Sequence, residues 1–122
     1  MIQSYKDLEV YNRSFKLAMD IFWLTRKFPK EEMYSLTSQV VRSSRSISAN
    51  ISEGWSKRNF ELVFKQHLIH SLGSTTETET WMDFALKCKY VTELEYNDIM
   101  LELDQLGKML NKLHQNWKSH GK

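Results

Sequence analysis

The chain has 122 residues, of which 41% are hydrophobic and 26% charged, with four glycines, one proline and a single cysteine. That length suits one domain with one core and no need for metal or disulfide staples, and so little Gly and Pro argues against disorder. A net charge of +2 excludes a polyelectrolyte clamp, and Cys88 alone cannot close an internal disulfide, so a reducing cytoplasm is the expected location. The opening MIQSYKDLEV lacks the basic-then-apolar order of a secretion signal, and no apolar run approaches the ~18 residues of a membrane span, so neither secretion nor membrane insertion is expected.

The charge is uneven. Residues 1–70 hold 11 Lys or Arg against 7 Asp or Glu, a net +4, while residues 71–122 hold 6 against 8, a net −2. Affinity for phosphate is therefore expected in the first half.

Four helices are predicted, at about 8–27, 31–53, 60–89 and 93–117. In the first, Leu8, Tyr11, Phe15, Ala18, Phe22 and Thr25 recur at spacings of three and four, and Val10, Ser14, Leu17, Ile21, Leu24 and Phe28 form a second stripe beside them. A face that wide implies at least two neighbours, and Pro29 stops the helix. The second helix opens on Glu31 and Glu32, carries Met33, Leu36, Val40, Ser44, Ile47 and Ile51 as its core stripe, and is expected to end at Gly54. Asn59 is the predicted cap of the third, whose seam is Phe64, Leu68, Ser71, Thr75, Met82 and Ala85 and whose length is roughly 45 Å. Leu62, Ile69, Gly73 and Phe84 lie off that seam, which suggests either contact with another subunit or a broad internal face. Thr92 and Glu95 form a capping box for the fourth, followed by Tyr96, Ile99, Leu103, Leu106, Leu110, Leu113 and Trp117, after which the tail is expected to fray. Long helices with short links predict an all-α, up-down-up-down antiparallel four-helix bundle as one domain over residues 1–122.

Small polar residues crowd two of these helices. Gln39, Ser43, Ser46, Asn50 and Glu53 fall on one line beside the core stripe of the second, and Ser71, Gly73, Ser74, Thr75, Thr76, Thr78 and Thr80 fill the middle of the third. β-Branching and glycine make the latter stretch a poor free helix, so a close approach of two backbones is the expected compensation. Folding back at about Ser56 sets Ser43 and Ser44 opposite Ser71 and Gly73. The other reading is a plain solvated face.

The segments FP at 28–29, SLTSQVVRSS, SISANISEG and GSTTETET are similar to the signature of the four-helix-bundle proteins encoded in intervening sequences of bacterial large-subunit (23S) ribosomal RNA genes. Asn50, Ile51, Glu53 and Gly54 match the family's N-I-A-E-G, with Ser52 in place of alanine, and Gly73, Ser74, Glu77 and Glu79 match its G-S-x-x-E-x-E. Trp55, Thr76 and Thr78 depart from usual members. The resemblance implies a bundle that assembles into a ring-like homopentamer, without established enzymatic activity and with suspected nucleic-acid binding. More distantly, the chain resembles the basic pentameric accessory proteins of diversity-generating retroelements.

Residues 40–65 hold the most basic stretch, with Arg42, Arg45, Lys57, Arg58 and Lys65 against Glu53 and Glu61. Repeated around an oligomer, such a patch offers sequence-independent, salt-sensitive affinity for RNA or DNA; ion pairs with Glu53, Glu77 or Glu79 are the competing reading. Trp55 stacks on an unpaired base or packs on the bundle end. Asn50 and Glu53 lack a convergent nucleophile and fit buried hydrogen bonding better than catalysis. Glu77 and Glu79 point to different sides of a helix, and His67 and His70 complete no Glu-x-x-His pair, so no metal or other cofactor is expected. His67 reads as a partly buried bundle residue, and His114 and His120 as solvent-facing. The expected function is a non-catalytic homo-oligomeric bundle that binds RNA or DNA through a basic surface, the alternative being a protein-protein interaction scaffold.

Overall fold

The computed structural model describes residues 2–119. Its regular elements are helical: α1 (Glu9–Thr25), α2 (Leu36–Trp55), α3 (Glu61–Lys87) and α4 (Glu93–Asn116), with single 3-10 turns at Tyr5–Asp7 and Lys30–Glu32. Each helix packs on the next and α4 also packs on α1, so α1 and α3 stand diagonally across the core. Ile21, Val40, Ile47, Ile51, Phe64, Leu68, Leu103, Leu106 and Leu110 meet at its centre, all essentially inaccessible to solvent.

The helix starts follow from local hydrogen bonding. Ser4 and Asp7 form a capping box on the first 3-10 turn, which the periodicity reading missed, and α1 follows from Leu8. The start of α2 lies five residues beyond its expected position. Glu32 is the cause: one carboxylate oxygen accepts from the Ser35 hydroxyl and the Leu36 amide, and the other accepts from the Tyr90 phenol at 2.8 Å. These bonds hold the Glu32 carboxyl below its ordinary range, the Ser35 hydroxyl contributing most, and push the Tyr90 phenol up to about 12. With residues 30–32 spent on a tight turn, Met33 leaves the core stripe and stands 49% exposed. Phe15 is likewise half exposed, because the buried line of α1 is its second stripe, Val10, Ser14, Leu17 and Ile21.

Asn59 is not the cap of α3. A Phe60-to-Lys57 backbone bond places it inside the α2–α3 turn, and Phe60 occupies the cap position without a side-chain bond. At its other end α3 closes with the Tyr90 amide on the Ala85 carbonyl and the Lys89 amide on the Leu86 carbonyl, a Schellman arrangement. Lys89 takes the left-handed position, with φ of 64°, where glycine is the usual residue. The T-x-x-E box at Thr92 and Glu95 begins α4 as expected. The tail does not fray at once: Trp117 and Ser119 both donate to the Arg58 carbonyl, and the Ser119 amide donates to Glu61.

Gly54 does not end α2; it sits inside the last turn, tight against α3. A methyl group there would lie 2.7 Å from Cβ of His67, an atom fixed to the α3 backbone. Gly54→Ala should therefore force the helices apart and lower stability by ~1–3 kcal/mol in chemical denaturation; an unchanged midpoint would contradict the close approach. Lys89→Gly should raise stability by ~0.5–1 kcal/mol in the same assay by relieving the left-handed backbone. The absorbance difference between wild type and Tyr90→Phe on alkaline titration should show a phenol with its midpoint near 12. Since that value lies above the ordinary one, Tyr90's contribution is intact below pH 10 and is lost as pH rises toward 12.

Candidate nucleic-acid interface

The two helices that carry the N-I-S-E-G and G-S-x-x-E-x-E motifs, α2 and α3, lie against each other, with the motifs offset along the seam. Thr78 gives its hydroxyl proton to the Ser74 carbonyl at 2.8 Å, so its oxygen accepts from Ser43, also at 2.8 Å. Ser74 donates to the Ser46 hydroxyl, which also accepts from the Asn50 amide group. The Asn50 carbonyl oxygen lies 3.3 Å from Nδ1 of His67, which must carry a proton to make that bond, and Ser71 donates to the Ile47 carbonyl. The pairs 43 with 78, 46 with 74, 47 with 71 and 50 with 67 run in opposite chain directions.

Close packing of small residues is thus present, in a different register from the one expected. Ser43 meets Thr78, two turns beyond Ser71, because the link 56–60 is itself coiled and moves the fold-back point toward Asn59. Gly73 faces outward, with nothing near its absent side chain, while its neighbour Ser74 faces α2. The buried hydroxyls of Ser44, Ser48 and Thr75 donate to carbonyls one turn back on their own helices, which lets them leave water without a partner across the seam.

Of the other matched positions, Asn50 is half-buried, not buried, and hydrogen-bonds Ser46 and His67. Glu53 takes no part in buried hydrogen bonding: it is exposed, with Lys57 at 3.5 Å. Glu77 pairs with Arg42 at 2.6 Å and accepts from the Trp81 indole, whereas Glu79 turns toward α4, where burial and then Asp83 and Asp104 raise its carboxyl above the ordinary range. His67 is half-buried as expected, and His70 bonds Gln66 instead of joining it. Among the described residues no three His, Cys, Asp or Glu side chains converge as a metal site would require. His114 is half-buried, not solvent-facing, and His120 lies outside the described residues.

The five candidate cations do not form one patch. Arg42 leans to α3 in its ion pair with Glu77; Arg45 leans to α1, its guanidinium 5.5 Å from the centre of the Phe22 ring. Lys65 pairs with Glu61 and is largely covered, and Lys57 spans Glu53 and His67. Arg58 lies over the Trp55 ring at 4.6 Å and donates to the Trp55 carbonyl. Trp55 itself is buried against Phe64 and Trp117, so it closes the bundle end and offers no face to a base; its indole N–H has no partner among the described residues. Sequence reasoning missed Arg26, whose guanidinium also lies over Phe22, at 5.6 Å. The four-residue spacing of Phe22 and Arg26 was the available signal.

A fold in which two motif-bearing helices zip together through glycine and hydroxyls defines a class of small helical bundle. The family description "23S rRNA-intervening sequence protein" matches residues 6–112, and the chain belongs to that family. It is similar to the crystal structure of a protein of unknown function from the S23 ribosomal protein family of Bacteroides thetaiotaomicron, with a TM-score of 0.77 and 24% identity over 88% of this chain and 99% of that one. At that identity the likeness extends to the fold. No curated protein matches the chain.

Thr78→Val keeps the shape of the seam but removes both hydrogen bonds of the hydroxyl. It should cost ~1–3 kcal/mol in denaturant titration, and less in a Ser43→Ala background, where no orphaned donor remains. Equal costs in both backgrounds would show that the two hydroxyls are not coupled.

Proposed function

We propose that the protein is a non-catalytic, cytoplasmic, single-domain bundle of up-down-up-down topology that assembles with copies of itself, as a ring-like pentamer by family resemblance, and binds RNA or DNA through a basic surface. The observation that carries the assembly is the outer face of α3, where Leu62 is 82%, Ile69 46% and Phe84 54% exposed along one line. Apolar surface of that extent, set diagonally from the exposed Phe15 and Met19 of α1, suits head-to-tail contact between copies. Supporting the nucleic-acid reading is the excess of positive charge in residues 1–70, of which Arg45 on α2 has no acidic partner among the described residues.

Native mass spectrometry should give a multiple of the chain mass, and Ile69→Asp should lower it. Titration with structured RNA at two salt concentrations should show affinity that falls steeply with salt. No binding at low salt, with the assembly intact, would leave the protein-protein scaffold as the function.

A further inference from the structure

Between the end of α1 and the start of α2 runs a groove of about 560 Å³, floored by Phe22, Phe28 and Val41 and edged by Arg26, Lys30 and Arg45. No carboxylate lines it. Two guanidiniums, those of Arg26 and Arg45, approach the single ring of Phe22 to 5.6 and 5.5 Å. Among the described residues neither they nor Lys30 has an acidic partner within ion-pair distance. Elsewhere the pattern differs: Arg13 is locked to Glu102, Arg42 to Glu77, Lys27 to Glu95 and Lys65 to Glu61. Arg45 also borders a second hollow of about 390 Å³ farther along the same seam, where Phe15 and Met19 face Ala49 and Ser52, again without a carboxylate. Trp23, 63% exposed, stands edge-on to Phe22 beside the first groove.

We infer that this α1–α2 groove is the seat of an unpaired polynucleotide strand, its phosphates held by Arg26, Lys30 and Arg45 and its bases resting on Trp23 and the apolar floor. Like charges gathered on one ring without counter-charge are relieved by an anion. The adjoining apolar floor then selects an anion that carries flat, stackable groups. A duplex hides those groups, and an acidic peptide supplies none. This site rests on the nucleic-acid reading above but moves its centre away from Lys57, Arg58 and Lys65, which are occupied by contacts at the bundle end.

The test is fluorescence anisotropy with a labelled ten-residue oligothymidylate at several salt concentrations, using the full chain and checking each variant's helicity by circular dichroism. Arg26→Ala and Arg45→Ala should each weaken binding ~10-fold and reduce the log–log salt slope by about 0.7, and Trp23→Ala should weaken it with the slope unchanged. Arg42→Ala, whose partner is Glu77, should bind as wild type does. If wild type binds but Arg26→Ala and Arg45→Ala match it, the groove assignment is overturned while the wider reading stands. If wild type binds neither this strand nor structured RNA, both fail. A change in native mass for Arg26→Glu without a change in strand affinity would show the groove covered by a second copy, which also overturns the assignment.

Discussion

The close passage of α2 against α3 is the constraint on which the remaining architecture depends. It is possible because Gly54 presents only hydrogen toward His67 and because the residues along the seam are mostly serine and threonine. A hydroxyl inside a helix can give its proton to the carbonyl one turn earlier and still accept from across the interface, as Thr78 does with Ser74 and Ser43. Larger side chains would push the axes apart; apolar small ones would lose the directional bonds that fix the register. Each of the family's two sequence signatures gives residues to this joint at a different level, Asn50 and Gly54 against His67 and Ser74 against Ser46.

From that joint outward, the bundle is fastened at both ends by different means. At the turn between α2 and α3, Trp55, Phe64 and Trp117 pack edge to face, with centroids 4.8 to 6.2 Å apart, and the chain after α4 is tied to the Arg58 carbonyl. At the opposite end, Glu32 links the start of α2 to Tyr90 beyond α3, and Lys27 reaches Glu95 at the head of α4. Between them the Arg13 guanidinium grips Glu102 through two hydrogen bonds, joining α1 to α4. Of the chain's 17 Lys and Arg side chains, Arg13 and Lys27 serve as these fastenings.

How much of this was legible from residues alone depended on whether periodicity or local chemistry decided the outcome. Helices α1 and α4 were readable because their apolar spacing is regular and because Thr92 and Glu95 satisfy a known cap. The start of α2 was not, since a carboxylate three residues after Pro29 bound both a local amide and a distant phenol, and no pattern within the segment reveals Tyr90. Small-residue packing was foreseen, but its register required the geometry of the coiled link at 56–60. The candidate cations were found as a sequence cluster that space disperses: Arg42 and Arg45, three residues apart, turn to different neighbouring helices. Conversely Arg26 and Arg45 are nineteen residues apart and share one ring, a proximity only the pairing of α1 with α2 creates.

The aromatic closure at the bundle end has an optical corollary. Trp55 is sealed among other rings, whereas Trp23 projects into water from the far part of α1. The four indoles of this chain thus differ in their access to a dissolved quencher, Trp55 least open, Trp23 most, and the half-buried Trp81 and Trp117 between them. With Trp23 replaced by phenylalanine, a rise in quenching reports that a disturbance has reached the more sheltered indoles.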